Sequence, residues 1–241
     1  MHNEKVMEVT MAMAMVMAMV TVMVEVLMGA TILKKRIQVD GAGLKSFLER
    51  TNKFLIFVDL MKIEKTNIDG LLVIEPKVFG DERGYFFESF NAQKFEELTG
   101  VKTEFVQDNQ SKSSVNVLRG LHFQNPPYAQ DKLVRVVQGA VLDVVVDIRK
   151  DSPTYGESFK VVLDSIEHKM LWIPKGMAHG FVSIEENTVF TYKCTAYYHP
   201  ESEECILWSD KDLAIDWNVT DPIISEKDKL GISFSEFKSN F

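Results

Sequence analysis

The chain has 241 residues, 46% of them hydrophobic, and a formal net charge of −8. That is enough apolar material for one or two packed domains, and the acidic balance excludes the basic footprint of a nucleic-acid-binding protein. The two cysteines, Cys194 and Cys205, form no CxxC pair and have no histidine at ligand spacing. They exclude a disulfide scaffold and a zinc motif, and read as reduced thiols of a cytoplasmic protein.

Composition changes along the chain. Nine of the 12 methionines fall within the first 28 residues, and residues 9–24 form an uncharged run closed by Glu25. A spanning helix needs about 20 apolar residues, so this run would have to continue past Glu25. It also lacks the basic start and small-residue cleavage site of a signal peptide. Residues 1–60 are expected to be an atypical leader outside the native fold. Met61-Lys-Ile-Glu-Lys looks like an ordinary start, and a mis-called start codon would explain the break. Membrane association is expected only if the leader is real.

From residue 61 the signals are regular. Leu71–Ile74 reads as a short strand ended by Pro76. Asp81–Gly84 reads as a charged turn, with Tyr85–Phe90 continuing as a strand. Asn91 can cap a short helix containing Phe95 and Leu98, with Gly100 as its stop. Phe105–Asn109 is extended. Leu133–Ile148 holds two β-rich runs broken at Gln138-Gly139-Ala140, a hairpin signal. Strands follow over Ser158–Leu163, Lys169–Ile173, His179–Ser183 and Asn187–Tyr198. Cys205–Trp208 is short, and Ser225–Asp228 lies in a polar tail segment. Many short strands and one convincing helix predict an all-β sandwich or barrel. No GxGxxG or Walker sequence occurs, so nothing argues for a Rossmann or P-loop site.

The densest chemistry lies in Val117–Gln124. In an extended chain His122 shares a face with Gly120 and Gln124, and Arg119 points away unless Gly120 bends the backbone. Histidine titrates closest to neutral pH. The nearby cations Arg119 and Lys132 would favour a phosphate or an enolate. The same residues also fit a structural histidine beside two surface cations. His179 follows the Pro174–Gly176 turn and could join His122 on a metal. A metal-binding β-barrel wants an H-x-H pair with a carboxylate, however, and position 124 is Gln, so no metal is expected. Tyr192 and Tyr198 share a face of a regular strand; such tyrosines usually pack, or one serves as a general acid. Arg83 and Glu88 flank aromatic residues 85–87, either as a surface charge pair or as an arginine for phosphate beside an aromatic face. Asp228 could orient a histidine, although aspartate is common in tails.

Seven segments together resemble the dTDP-4-dehydrorhamnose 3,5-epimerase family. They are Phe79–Phe86, Gln107–Ser113, Val117–Gln124, Pro126–Val134, Trp172–Phe181, Tyr192-Lys-Cys-Thr-x-x-Tyr198 and Ser225-Glu-Lys-Asp228. They run in order from residue 61 to about 231. The resemblance implies a cupin-type jelly roll over 61–241 and a homodimer, with no cofactor and no metal. It implies conversion of dTDP-4-dehydro-6-deoxy-D-glucose to dTDP-4-dehydro-L-rhamnose, for the rhamnose of a cell-surface polysaccharide. His122 would be the base, Asp228 its partner, Tyr192 the acid and Lys132 the enolate stabiliser. Arg83, Glu88, Gln107, Asn109, Arg119, His179, Glu203 and Lys227 would line the substrate and nucleotide site. Phe86 and Tyr198 would be its aromatic walls. A single-centre epimerase, a non-catalytic sugar-nucleotide-binding barrel and a metal-dependent cupin oxygenase, the last disfavoured by Gln124, are the competing readings.

Overall fold

A computed structural model describes residues 61–241; the expectations for the leader lie outside the described residues. The strands are β1 (Met61–Lys65), β2 (Leu72–Pro76), β3 (Phe79–Asp81), β4 (Gly84–Phe86), β5 (Gln107–Ser113), β6 (Val117–Gln124), β7 (Lys132–Gln138), β8 (Ala140–Asp147), β9 (Ser158–Asp164), β10 (Met170–Ile173), β11 (Met177–Ser183), β12 (Thr188–Cys194), β13 (Glu203–Cys205) and β14 (Ile223–Ile224). Helix α1 (Ala92–Thr99) follows β4, and the single-turn helix α2 (Glu226–Lys229) follows β14.

One sheet has the order β1-β2-β10-β7-β12-β5. The other runs β13-β6-β11-β8-β9, with β14 alongside β6. They face each other as an all-β jelly roll of the cupin type. Alternation along each strand sets what is buried where. Val134, Val136, Leu171 and Phe190 of the first sheet meet Val141, Val145 and Phe181 of the second between the layers. The opposite face of β8, with Leu142, Val144 and Val146, packs under the C-terminal segment through Trp217 and Phe237. This explains why β8 is buried along its whole length. Phe95 of α1 covers the outer face of the first sheet at Trp172, ring to ring at 4.9 Å.

The expected cap residues of α1 are in place: the Asn91 side chain accepts from the Lys94 N–H, and Gly100 closes the helix in the left-handed region. Four expectations need correction. Gln138-Gly139-Ala140 is not a hairpin, because β7 pairs with β10 and β12 while β8 pairs with β9 and β11. Gly139 instead turns the chain from one sheet to the other. A β-carbon there would stand 2.5 Å from Thr188 Oγ1. The strand expected over Tyr85–Phe90 ends at Phe86, since β4 pairs only with the three-residue β3. The strand expected to reach Tyr198 ends at Cys194, opposite Gln107, where its antiparallel partner β5 begins. Ser225–Asp228 is not merely polar tail: Ser225 caps α2, accepting from the Asp228 N–H.

Candidate active site

The open end of the jelly roll holds a cavity of about 340 Å³ between the sheets. Its geometry starts at Gly120. His122 lies opposite His179, but Arg119, three residues back, lies opposite Phe181, two residues on, so β6 carries one extra residue. This bulge turns both Arg119 and His122 toward the cavity, as the bend at Gly120 would require. Only glycine fits there: φ is +122°, and a β-carbon would lie 2.5 Å from Gly180 Cα.

His122 Nε2 sits 2.6 Å from Asp228 Oδ1. Helix α2 presents that aspartate, and its side chain is almost wholly buried. Burial by itself would raise the Asp228 pKa. The bond to His122, with help from the Gly120 N–H and the Ser225 hydroxyl, outweighs it and holds the carboxyl below its ordinary value. Asp228 is therefore an anion that can fix one tautomer of the ring and stabilise its protonated form.

The facing wall comes from the first sheet. Lys132, Cys194 and Gln107 form one rung across β7, β12 and β5; Val134, Tyr192 and Asn109, two residues along each strand, form the next rung on the same face. Lys132 has no ion-pair partner within reach among the described residues, and burial lowers its pKa despite the fields of Cys194, Glu203 and Asp143. Burial, then Cys194 and Glu203, raise the Tyr192 pKa, which keeps the phenol protonated. The stacked rings of Phe181 and Phe190, 4.3 Å apart, line the cavity between these walls.

At the mouth Glu203 is bonded to Lys227 and, at 2.6 Å, to the Tyr198 hydroxyl. The Gln107 side chain accepts from the Tyr198 N–H at 2.8 Å and donates to Asn109 at 3.0 Å. Arg119 reaches Ser113 Oγ at 3.3 Å. His179 Nε2 stands 3.0 Å from both oxygens of the fully buried Asp143.

Three expected residues are not brought to this cavity: Arg83, Phe86 and Glu88. The β3–β4 ribbon joins neither large sheet. Arg83 is tied to Asp81, and Glu88 to Lys94 and Asn91. Phe86 is 69% exposed. Conversely, Asp143, absent from the expected residues, is the partner of His179. Its signal was present, a carboxylate at an inward position of the otherwise apolar run Val141–Val146. Cys205 has no histidine at ligand spacing along the sequence, and strand pairing sets it directly opposite His122. Among the described residues His122, Cys205 and Asp228 form the one group of three or more metal-capable side chains that converges, with ligand atoms within 4.8 Å of one another.

A family model described as dTDP-4-dehydrorhamnose 3,5-epimerase matches residues 65–236. The chain belongs to the dTDP-4-dehydrorhamnose 3,5-epimerase family. The Salmonella typhimurium protein of that name is 56% identical over 170 residues, covering 70% of this chain and 93% of its own length. The Shigella flexneri protein is 54% identical over 174 residues, covering 72% and 96%. Among solved structures, the 3,5-epimerase of Legionella pneumophila in complex with dTDP-4-keto-L-rhamnose superposes with a TM-score of 0.71 at 49% identity, covering 74% of this chain and 95% of that one. Within this epimerase fold no helix among the described residues is long and apolar enough to cross a membrane.

Proposed function

We propose that the cavity epimerises dTDP-4-dehydro-6-deoxy-D-glucose at C3 and C5 to give dTDP-4-dehydro-L-rhamnose. The observation that carries this reading is His122 of the second sheet paired with Asp228 of α2, facing the Lys132 and Tyr192 side chains of the first sheet, all lining one cavity. Both C3 and C5 are α to the C4 ketone, so loss of either proton puts negative charge on the same oxygen. One base and one fixed cation can therefore serve both centres.

His122 removes the proton, and Asp228 stabilises the imidazolium. Lys132 meets the developing oxyanion where little water competes; a preorganised donor of this kind is worth roughly 10²–10³ in kcat. Tyr192, protonated and on the opposite wall, returns a proton to the other face of the carbon, and the centre inverts. The C4 ketone is itself the electron sink, so the chemistry calls for no cofactor. Arg119 and Lys227 suit the diphosphate, and its binding fixes the sugar between base and acid. His179, oriented by Asp143, and Gln107, Asn109, Glu203 and Tyr198 complete the substrate contacts.

We further propose a homodimer in which Arg83, Phe86 and Glu88 serve a second copy's cavity. The exposed aromatic ribbon that carries the first two, and the absence of all three from this chain's own cavity, support it. The match over 65–236 supports residues 61–241 as the epimerase domain, with 1–60 outside its fold. The enzyme is placed in the cytoplasm, supplying rhamnose for a cell-surface polysaccharide.

The test is turnover in D₂O, followed by NMR or mass spectrometry. Deuterium at both C3 and C5 with both centres inverted is the expected result. Label at one carbon would make it a single-centre epimerase; label at neither would remove the activity.

A further inference from the structure

We infer that His122, Cys205 and Asp228 form a latent site for a thiophilic divalent cation such as Zn²⁺ or Cd²⁺, and that such an ion silences the base. Cys205 and His122 are register partners on β13 and β6, so their side chains leave the sheet on one side. Helix α2 brings the Asp228 carboxylate to the same point, 2.6 Å from His122. One thiol, one imidazole and one carboxylate thus converge within 4.8 Å.

Metal–ligand bonds of about 2.0–2.3 Å make the edges of a tetrahedral zinc site about 3.3–3.8 Å long. The three donors need to move by only about an ångström to hold an ion, spreading His122 from Asp228 and drawing Cys205 in. A sulfur, nitrogen and oxygen set suits borderline-soft zinc and cadmium and disfavours magnesium and calcium. The cavity beside His122 leaves a fourth position for water, so the site stays open. Binding replaces the Cys205 thiol proton by a metal–sulfur bond and releases one proton to solvent. Bound through Nε2, the nitrogen that faces Asp228, the ring must carry its own proton on Nδ1, so the lone pair that would take the substrate proton is no longer available. Cys205 itself is not among the groups assigned to substrate. Its place behind the base gives the ion an anchor that does not compete with the sugar.

The inhibition, though not the binding, rests on His122 being the base. The experiment therefore reads both. Cd²⁺ alone is titrated into the full chain and followed by the ultraviolet cadmium–thiolate band, and Zn²⁺ by calorimetry. Turnover is measured at each ratio and again after chelation. One ion per chain with a thiolate band and reversible loss of turnover is expected. Cys205→Ser should abolish the band, weaken zinc binding by at least about tenfold and make turnover resistant. His122→Asn, which keeps the thiol, should weaken cadmium to a similar degree. Cys194→Ser should change neither.

Absence of a band at equimolar cadmium would overturn the site. So would a band that survives Cys205→Ser and disappears in Cys194→Ser, or undiminished affinity in His122→Asn. An ion bound at Cys205 without loss of turnover would leave the site standing and remove His122 from the role of base.

Discussion

Asp228 meets His122 at 2.6 Å from a separate element 106 residues further along the chain. The pair exists because the Ser225 cap starts α2 beside the bulged strand β6. Asp228→Asn keeps the shape and removes the charge. We expect kcat to fall by about 10²–10⁴ with dTDP affinity unchanged, measured by steady-state kinetics and calorimetry. The Asp228 pKa is lowered, so the carboxylate is already charged above its ordinary range and is lost only as pH falls through the depressed value. Its contribution to stability should follow the same course. An acid melting series should show Asp228→Asn losing less than wild type as pH drops through that window.

Tyr192→Phe should separate the two proton transfers. His122 would still exchange substrate protons with solvent, while return from the opposite face fails, lowering inversion by about 10²–10⁴. Deuterium wash-in compared with product formation checks this. Normal inversion would take Tyr192 out of the acid role.

Lys132→Met should lose activity and gain stability. The lysine is a half-buried cation without an ion-pair partner among the described residues, and the loss of water around it lowers its pKa. The folded protein gives up this proton at a lower pH than the unfolded chain does. Below the folded pKa the charge therefore costs stability, and the cost fades as pH rises through it toward 10.5. Melting curves should place the variant above wild type at neutral pH, with the gap narrowing in alkali. Wild-type turnover should decline over that same alkaline interval, because the enolate loses its cation. Equal melting at neutral pH would contradict the argument.

Gly120→Ala should be disruptive far beyond its one added carbon. The β-carbon would stand 2.5 Å from Gly180 Cα and 2.7 Å from the His179 carbonyl oxygen, at a φ of +122°. Backbone on a neighbouring strand cannot step aside as a side chain can. We expect a loss of several kcal/mol, about 1–3 of it from the dihedral alone, read by urea denaturation, and displacement of Arg119 and His122 together. Retention of wild-type stability would show that the bulge is unnecessary.

An Arg83→Ala chain and a His122→Asn chain should each be inactive and should rescue one another when co-refolded. In a statistical mixture of two-fold dimers about a quarter of the activity returns, since half the dimers are hybrids with one intact cavity each. No recovery would confine Arg83 to its own chain or remove it from the site.

Local chemistry was legible from residues alone. Asn91 and Gly100 bracket α1 as their side-chain and backbone preferences require, and the bend at Gly120 follows from two cavity-seeking residues three apart on a strand. What could not be read was pairing over distance. A glycine between two β runs looks the same whether the strands turn back on each other or part into separate sheets, and Gly139 does the second. The strand expected to carry Tyr198 stops at Cys194, yet Tyr198 still reaches the cavity mouth, because Gln107 holds its N–H. Asp143 and Cys205 are ordinary residues until β8 and β13 set them beside His179 and His122. The ribbon residues Arg83 and Phe86 lie away from this chain's own cavity, and the role proposed for them in a second copy cannot be read from one chain's sequence.

The distance along the chain between His122 and Asp228 also bears on biosynthesis. Domains tend to assemble from the N-terminus as the polypeptide is made, and strand β6 is complete long before α2 is translated. A nascent or prematurely terminated polypeptide would hold an imidazole with no carboxylate behind it. On the roles proposed for His122 and Asp228, catalytic competence arrives late in translation, and fragments ending before Asp228 are expected to be inert even where their strands had paired.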